Sequence, residues 1–207
     1  MTPLYWRLKG ALIELTSPVF FRSIGRGTQF TGRVRLPLPF RRIDIGARCM
    51  IGHDVYFQTG RASEIVVGDD ASLNTGCHLI AVERITIGRN VAIGEYVSIR
   101  DQEHRFAPRS GVRGRGFSVS PVTIEDNVWI GRGAYIGPGT HIRSGSVVGA
   151  NSVVSGDFPP NVLIAGAPAT IRRSILPTGE TLRLPKAITR PFDADATGLR
   201  LTAKPPA

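Results

Sequence analysis

Four histidines are the side chains of this chain best suited to proton transfer near neutral pH, because an unperturbed imidazole titrates at about pH 6.5. They are His53, His78, His104 and His141. Three of them fall within a regular repeat and are expected at its surface. His104 lies in the sequence RDQEHRF, where the repeat fails. The residues alone leave two interpretations of His104 open, a general base and a solvent-exposed loop histidine.

An aliphatic or aromatic residue recurs every six positions along most of the chain. These positions are Ile45, Ile51, Phe57, Val67, Leu73, Leu79, Ile87, Ile93 and Ile99, then Ile124, Ile130, Ile136, Ile142, Val148 and Val154. An α-helix cannot use this period, because 3.6 residues per turn would spread the apolar stripe around its surface. Short strands can, and three six-residue faces make one triangular turn of about 18 residues. The sequence therefore predicts an all-β solenoid whose stacked turns bury one apolar column.

The repeat fails between residues 104 and 121, a segment too polar and too rich in glycine to lie in the stack. We predict that it leaves the body as an extruded loop, and long loops within regular folds are commonly functional or disordered. The segment carries Arg105, Arg109, Arg113 and Arg115. Two interpretations stay open for these arginines, a solvated mobile loop and a lid that attracts an anionic ligand.

The period also predicts the domain organisation. Residues 43–173 form the solenoid, residues 1–42 an N-terminal helical cap with a degraded first repeat, and residues 174–207 a C-terminal tail rich in proline, threonine and arginine. Residues 3–24 have leucines at helical spacing and are expected to form the capping helix. Aromatic and basic residues in this helix allow a second interpretation, peripheral contact with a membrane surface.

Composition narrows the class of protein. The formal net charge of +10 favours anionic partners, but the basic residues are dispersed and lack interleaved aromatic residues, so nucleic-acid binding is disfavoured. We expect a cytoplasmic protein, because neither a signal sequence nor a run of 18 apolar residues is evident. Cys49 and Cys77 fall at small inward positions of the repeat and are expected to be buried free thiols.

The run VTIEDNVWIGRGAYIGPGTHIRSGSVVGANSVVSGDFPPNVLIAGAPA resembles the C-terminal coils of the hexapeptide-repeat acyltransferases. The similarity covers roughly residues 43–173 and is greatest to the sugar O-acetyltransferases, which include the galactoside, maltose, nodulation-factor and capsule acetyltransferases. It implies a left-handed parallel β-helix, a hand that the period alone does not give. It also implies acetyl-CoA as the donor and a homotrimer with active sites between neighbouring subunits.

The resemblance assigns roles to particular residues. His104 occupies the place of the family's catalytic base, and Asn74 matches an asparagine that helps to hold the acceptor. Asp101 or Glu103 could orient the imidazole of His104. Gln102 stands where the capsule enzymes commonly have an additional histidine. No pair of histidines has the spacing used by zinc-binding carbonic anhydrases of similar fold, so no metal is expected.

The same resemblance implies a groove for acetyl-CoA. The residues expected to line it are Trp129, Gly131, Arg132, Gly149, Ala150, Ser155 and Arg173. For Trp129, a place in the acceptor pocket and packing against a neighbouring subunit stay open as alternatives. The small residues would keep the groove wall low, although close packing of the coils requires them in any case. Arg173 would lie near the phosphates, where a guanidinium suits a multivalent anion. Gly156 and Thr170 replace residues that are frequently basic in the family, and Arg132 or Arg172 could compensate.

These observations predict an acetyl-CoA-dependent O-acetyltransferase that acts on a saccharide, such as a polysaccharide precursor, by direct transfer in a ternary complex. N-acetylation of an amino sugar or a xenobiotic is an alternative. A non-catalytic β-helix scaffold is another, but a scaffold would have no need of both His104 and Asn74. The long helical N-terminal domain of the serine acetyltransferases is missing, which disfavours that activity.

Overall fold

The chain winds into a parallel β-solenoid, as a computed structural model that describes residues 20–37 and 42–175 makes clear. Strands of mostly two to five residues alternate with tight corners. Two positions of each six-residue repeat point inward, the aliphatic one and the smaller residue four positions later. Because successive side chains on a strand point to opposite sides, most residues that flank an inward aliphatic face outward. The predicted left-handed β-helix is confirmed.

Three parallel sheets, which we call faces A, B and C, form the sides of the prism. Face A contains β1 (Ser23–Ile24), β4 (Ile43–Ile45), β7 (Glu64–Val67), β10 (Arg84–Ile87), β15 (Val122–Ile124), β18 (His141–Ile142) and β21 (Asp157–Phe158). Face B contains β2 (Gln29–Phe30), β5 (Met50–Ile51), β8 (Ser72–Leu73), β11 (Ala92–Ile93), β16 (Trp129–Ile130), β19 (Val147–Val148), β22 (Val162–Gly166) and β23 (Ala169–Ser174). Face C contains β3 (Val34–Arg35), β6 (Val55–Thr59), β9 (His78–Ala81), β12 (Ser98–Arg100), β17 (Tyr135–Ile136) and β20 (Val153–Val154).

Two pairs of strands depart from the parallel winding. β13 (Gln102–His104) and β14 (Phe117–Val119) form a separate antiparallel hairpin between β12 and β15. At the C-terminal end, β23 turns back and pairs antiparallel with β22. The predicted extruded segment is therefore an ordered hairpin at its base, which is more structure than the loss of the repeat indicated.

The core is one column of aliphatic side chains. The aliphatic positions of the repeat are almost completely buried; Ile51, Ile93 and Ile130, for example, have no accessible surface. Burying such a side chain contributes about 1.5–3 kcal/mol to the free energy of folding, so the column stabilises the solenoid. Cys49 and Cys77 are buried and free, as expected, and burial raises the pKa of Cys77 to about 11.

The corners determine which residues can follow each strand. Every corner between faces A and B contains one residue in the left-handed backbone region: Gly27, Arg48, Asp70, Asn90, Asn127, Gly145 and Asn161. Gly, Asn and Asp tolerate this geometry best, which explains their recurrence. The coils also stack with their backbones in close contact. A Cβ on Gly46 would lie 2.5 Å from the amide nitrogen of Asp69, so only glycine fits there.

Several predictions fall partly or wholly outside the described residues. The expected helix over residues 3–24 lies outside them up to residue 19, and its last two residues, Ser23 and Ile24, are strand β1. Most of the expected tail, residues 176–207, also lies outside them. The domain boundaries at residues 42 and 173 stay predictions. No helix in the described part of the chain has the length and apolarity needed to cross a membrane.

Candidate active site

His104 is the last residue of β13. Its imidazole is exposed and stacks at a tilt of 44° on Phe117, with 4.5 Å between the ring centroids. The two residues are directly paired across the β13–β14 hairpin. The hairpin forms because glycines at residues 111, 114 and 116 take positive φ angles and reverse the chain beyond it. His104 is thus held at the side of the solenoid, accessible to a ligand.

The hairpin and face C enclose a pocket of about 330 Å³ in front of His104. The residues that line it are Arg100, Gln102, Glu103, His104, Phe117 and Tyr135. They combine a titratable base, an acid, a guanidinium, a phenol and an aromatic wall. A pocket of this size and composition suits a polar ligand of roughly one sugar ring.

Glu103 is directed to Tyr135. The Tyr135 hydroxyl donates a hydrogen bond to Glu103 Oε2 at 3.0 Å. Burial, and then this contact with a carboxylate, raise the pKa of Tyr135. Tyr135 lies on β17, the strand beside β12, so the bond fastens the hairpin to the next coil. The hydrogen bond to the phenol uses one of the two carboxylate oxygens of Glu103, and the expectation that Glu103 orients the imidazole stays a prediction.

Asp101 has a different role from the one expected. Its side chain is completely buried, and its carboxylate accepts hydrogen bonds from the backbone N–H groups of Val82, Glu83 and Arg84 at 2.7–2.8 Å. Its backbone carbonyl accepts a hydrogen bond from Ser120 N at 2.8 Å. The suggestion that it orients His104 directly is therefore wrong. Asp101 joins the root of the hairpin to the corner between β9 and β10.

Gln102 completes this attachment. The residue is buried, and its amide nitrogen can donate to the Ile80 carbonyl and to Asp101 Oδ1, both at 3.1 Å. The side chain that replaces a family histidine is thus used to bind the hairpin to the body. Asp101 and Gln102 together fix the place from which β13 leaves the coil.

Asn74 is not near His104 within one chain. It follows β8 at the corner between faces B and C, whereas β13 leaves β12 at the corner between faces C and A. The width of face C separates the two corners. A site that uses both side chains would therefore need a second copy of the chain.

The predicted acetyl-CoA residues fall into three groups. Four of them occupy the edge between faces B and C in two successive coils: Gly131, Arg132, Gly149 and Ala150. Trp129 and Arg173 lie on face B, where Trp129 is 44% exposed. Ser155 follows β20 at the other edge of face C. A Cβ on Gly131 would lie 2.6 Å from Ala150 N, so close stacking of the coils alone requires that glycine.

His141 and His78 lie on strands of the solenoid and contact neighbouring side chains. His141 Nε2 lies 2.7 Å from Glu125 Oε1 on face A. Hydrogen bonds from Ser144, and then the contact with His141, lower the pKa of Glu125. His78 lies on face C beside Tyr56, and burial followed by the charges of Arg100 and Arg35 lowers its pKa. Among the residues that the structure describes, no cluster of His, Cys, Asp and Glu could hold a metal ion.

Comparison with known proteins places this fold in a family. The family model for the bacterial transferase hexapeptide, described as six repeats, matches residues 121–156. A crystal structure of a maltose O-acetyltransferase from Clostridium difficile 630 is 30% identical, with a TM-score of 0.52, over 79% of this chain and 74% of that one. The chain belongs to the hexapeptide-repeat acyltransferase family.

Two further members of the family are similar to this one. The hexapeptide-repeat acetyltransferase from Vibrio cholerae O1 biovar eltor, solved in complex with acetyl-CoA, is 28% identical over 81% of this chain and 78% of that one, with a TM-score of 0.58. Nodulation protein L from Rhizobium meliloti is 43% identical over 109 residues, or 52% of this chain and 58% of that one. The chain spans less than two thirds of the length of the curated relatives it matches.

Sequence reasoning missed several residues of this hexapeptide-repeat site. Arg100 and Tyr135 occupy outward positions of the repeat on strands beside the hairpin, and Phe117 lies in the extruded segment itself. Aligning the coils on either side of the extruded segment would have identified Tyr135, because Tyr135 pairs with Ser98 of β12.

Tyr96, at the edge between faces B and C, does not line the His104 pocket but has an unusual geometry. It has a φ of 58°, is 60% exposed, and lies beneath the guanidinium of Arg132, whose Cζ is 5.9 Å from the ring centroid. A bulky residue rarely adopts this backbone geometry at an exposed corner, which is the signal that singles it out.

Proposed function

We propose that this protein is an acetyl-CoA-dependent O-acetyltransferase that acetylates a saccharide hydroxyl, with His104 as the general base. The observation that carries the proposal is the placement of His104. It is an exposed imidazole on a hairpin anchored at both ends, facing a polar pocket at the edge of a hexapeptide-repeat solenoid. Relatives that are named as acetyltransferases, on sugars in the case of the maltose enzyme, support the chemical class.

Acetyl transfer requires one group that first accepts the proton of the acceptor hydroxyl and then donates it to the sulfur of CoA. Acetyl-CoA supplies an activated thioester carbonyl. An imidazole nitrogen of His104 takes the proton of the acceptor hydroxyl as that oxygen forms its bond to the acetyl carbon. The resulting imidazolium returns the proton to the sulfur as the carbon–sulfur bond breaks. Transfer is direct within a ternary complex, so no residue of the chain has to become acetylated.

The residues expected to hold acetyl-CoA are compatible with that ligand. Trp129 offers an exposed apolar surface, Ser155 a hydroxyl, and Arg132 and Arg173 guanidinium groups for the phosphates. The small side chains of Gly149 and Ala150 leave room for a ligand along the edge between faces B and C. Use of acetyl-CoA would place the reaction in the cytoplasm.

We further propose that the active enzyme is a homotrimer. His104 and Asn74 lie at opposite edges of face C, so one chain does not bring them together. In a ring of identical subunits, the edge that carries His104 can face the edge of a neighbour that carries Asn74. Sedimentation of the purified protein is expected to give the mass of three 22.4 kDa chains.

Mixed assemblies test this arrangement. His104→Ala and Asn74→Ala should each be nearly inactive alone, whereas trimers formed by co-expressing them should regain up to about a quarter of the parent activity, because about a quarter of the interfaces would pair two intact residues. Activity is measured as release of free CoA. A mixture no more active than its two components would contradict a site shared between subunits. Two copies of His104→Ala, carrying different affinity tags, serve as the control.

The acceptor is tested directly by incubating the enzyme and acetyl-CoA with neutral sugars, sugar acids, sugar phosphates and amino sugars, and by analysing the products by mass spectrometry. An acetyl ester on a sugar is expected, recognised by its loss in mild base. A base-stable product on an amino sugar would replace this proposal by N-acetylation. Failure to acetylate any acceptor would contradict the proposal.

A further inference from the structure

The charges around the His104 pocket differ from those of the rest of the solenoid. Over residues 100–119 there are five arginines and two acidic residues. One acid, Asp101, is buried and satisfied by three backbone N–H groups. The other, Glu103, accepts the hydroxyl of Tyr135. The hairpin beyond His104 thus has cations and no acidic side chain.

Six arginines of the coils are used differently. Arg22, Arg35, Arg48, Arg84, Arg89 and Arg143 all form salt bridges with carboxylates on neighbouring coils. Within the described residues, the arginines of the hairpin and Arg100 form none. Glu103 keeps its negative charge in the pocket, because its partner Tyr135 is a neutral hydroxyl. The hairpin and Arg100 together still carry more cations than acids, and such an excess of positive charge attracts anions.

Arg100 is the arginine that lines the pocket. It is half-buried at the end of β12, beside Ile80 of β9. The contact observed for its Nε is a hydrogen bond of 3.3 Å to the hydroxyl of Ser98, which leaves the two terminal nitrogens to meet a ligand. Those two nitrogens form a planar fork that matches the oxygens of a carboxylate or a phosphate.

We infer that the acceptor is an anionic saccharide and that Arg100 binds its carboxylate or phosphate group while His104 faces the hydroxyl to be acetylated. This inference rests on the proposed function and names the substrate class of the same site. Arg100 is a specificity-determining residue in this account. A uronic acid and a sugar phosphate offer the same chemistry to the guanidinium.

The experiment compares methyl glucoside with its carboxylate counterpart, methyl glucuronide, and with glucose 1-phosphate as acceptors for acetyl-CoA. The parent enzyme is expected to prefer one or both anionic sugars by about tenfold in kcat/KM, because a charge-assisted bidentate contact is involved. The preference should fall as ionic strength rises. The two anionic sugars distinguish a carboxylate from a phosphate as the group recognised.

Arg100→Gln is expected to abolish that preference, mainly by raising the KM of the anionic sugar. Arg89→Gln is the matched control, because Arg89 lies at a far corner and pairs with Asp126; it should retain the parent preference. A parent enzyme that treats neutral and anionic sugars alike would overturn the inference while leaving acetyl transfer intact. So would an Arg100→Gln variant whose KM rises for acetyl-CoA alone.

Binding without turnover separates this inference from the proposed function. Ligand-observed NMR with the same three sugars should show the anionic ones bound more tightly to the parent than to Arg100→Gln. Such selective binding without transfer to any acceptor would support the anionic pocket and contradict the acetyltransferase activity. Absence of any selective binding would contradict the inference itself.

Discussion

Replacing His104 with alanine is expected to lower kcat by about 10²–10⁴-fold, the usual contribution of a positioned general base. The KM values of both substrates should change little, because the imidazole acts on the proton that moves in the transition state. Release of free CoA in the presence of an acceptor measures the effect. The residue is exposed on the hairpin, so the variant should fold as the parent does.

The control for this prediction is His141→Gln. His141 is also a histidine of the described chain, but it lies on face A and contacts Glu125. Its loss should leave kcat within about twofold of the parent value, since its contact with Glu125 is partly exposed and lies on a different face from the pocket. Equal activity of His104→Ala and the parent would remove His104 from the mechanism.

Replacing Asp101 with alanine is expected to lower the free energy of unfolding by about 3–5 kcal/mol. The change removes a completely buried carboxylate and leaves three backbone N–H groups without their acceptor. Each unsatisfied group costs about 1–3 kcal/mol before the structure relaxes and water reaches it. Asp101→Asn should be intermediate, because its amide keeps one acceptor oxygen and replaces the other by a donor. Urea denaturation followed by circular dichroism gives the comparison.

Asp157→Ala provides the reference for the Asp101 variants. Asp157 pairs with Arg143 on the surface and its side chain is 60% exposed, so its loss should change stability by less than about 1 kcal/mol. If Asp101→Ala were as stable as Asp157→Ala, the buried carboxylate would not hold the hairpin. Because the hairpin carries His104, an Asp101→Asn variant that still folds should also have a lower kcat than the parent.

The period of six was sufficient to predict the coil, the buried positions and the place where a segment leaves the body. It could do so because each face of each coil buries its aliphatic side chain in the same way. The period could not predict the hand of the winding, which came only from resemblance to a family. It also gave no hint that β13 and β14 would pair, because short exposed strands have no inward face to reveal them.

The partners of Asp101 and Glu103 were out of reach of the sequence for another reason. Both carboxylates stand next to His104 in the chain, which suggested that they act on it. Their hydrogen-bond partners are 17 to 19 residues earlier for Asp101 and 32 residues later for Glu103, on adjacent coils. In a solenoid the nearest neighbours of an outward side chain are one coil away, so proximity in sequence is a poor guide.

The return strand β23 has a consequence for the behaviour of the protein in solution. A parallel solenoid ends in open strand edges, on which the first coil of another molecule could continue the stack and produce a fibre. On face B the last parallel strand, β22, is already paired with a strand of opposite direction that bears Arg172 and Arg173. A reversed and positively charged edge does not match an incoming parallel coil, so this end of face B discourages polymerisation.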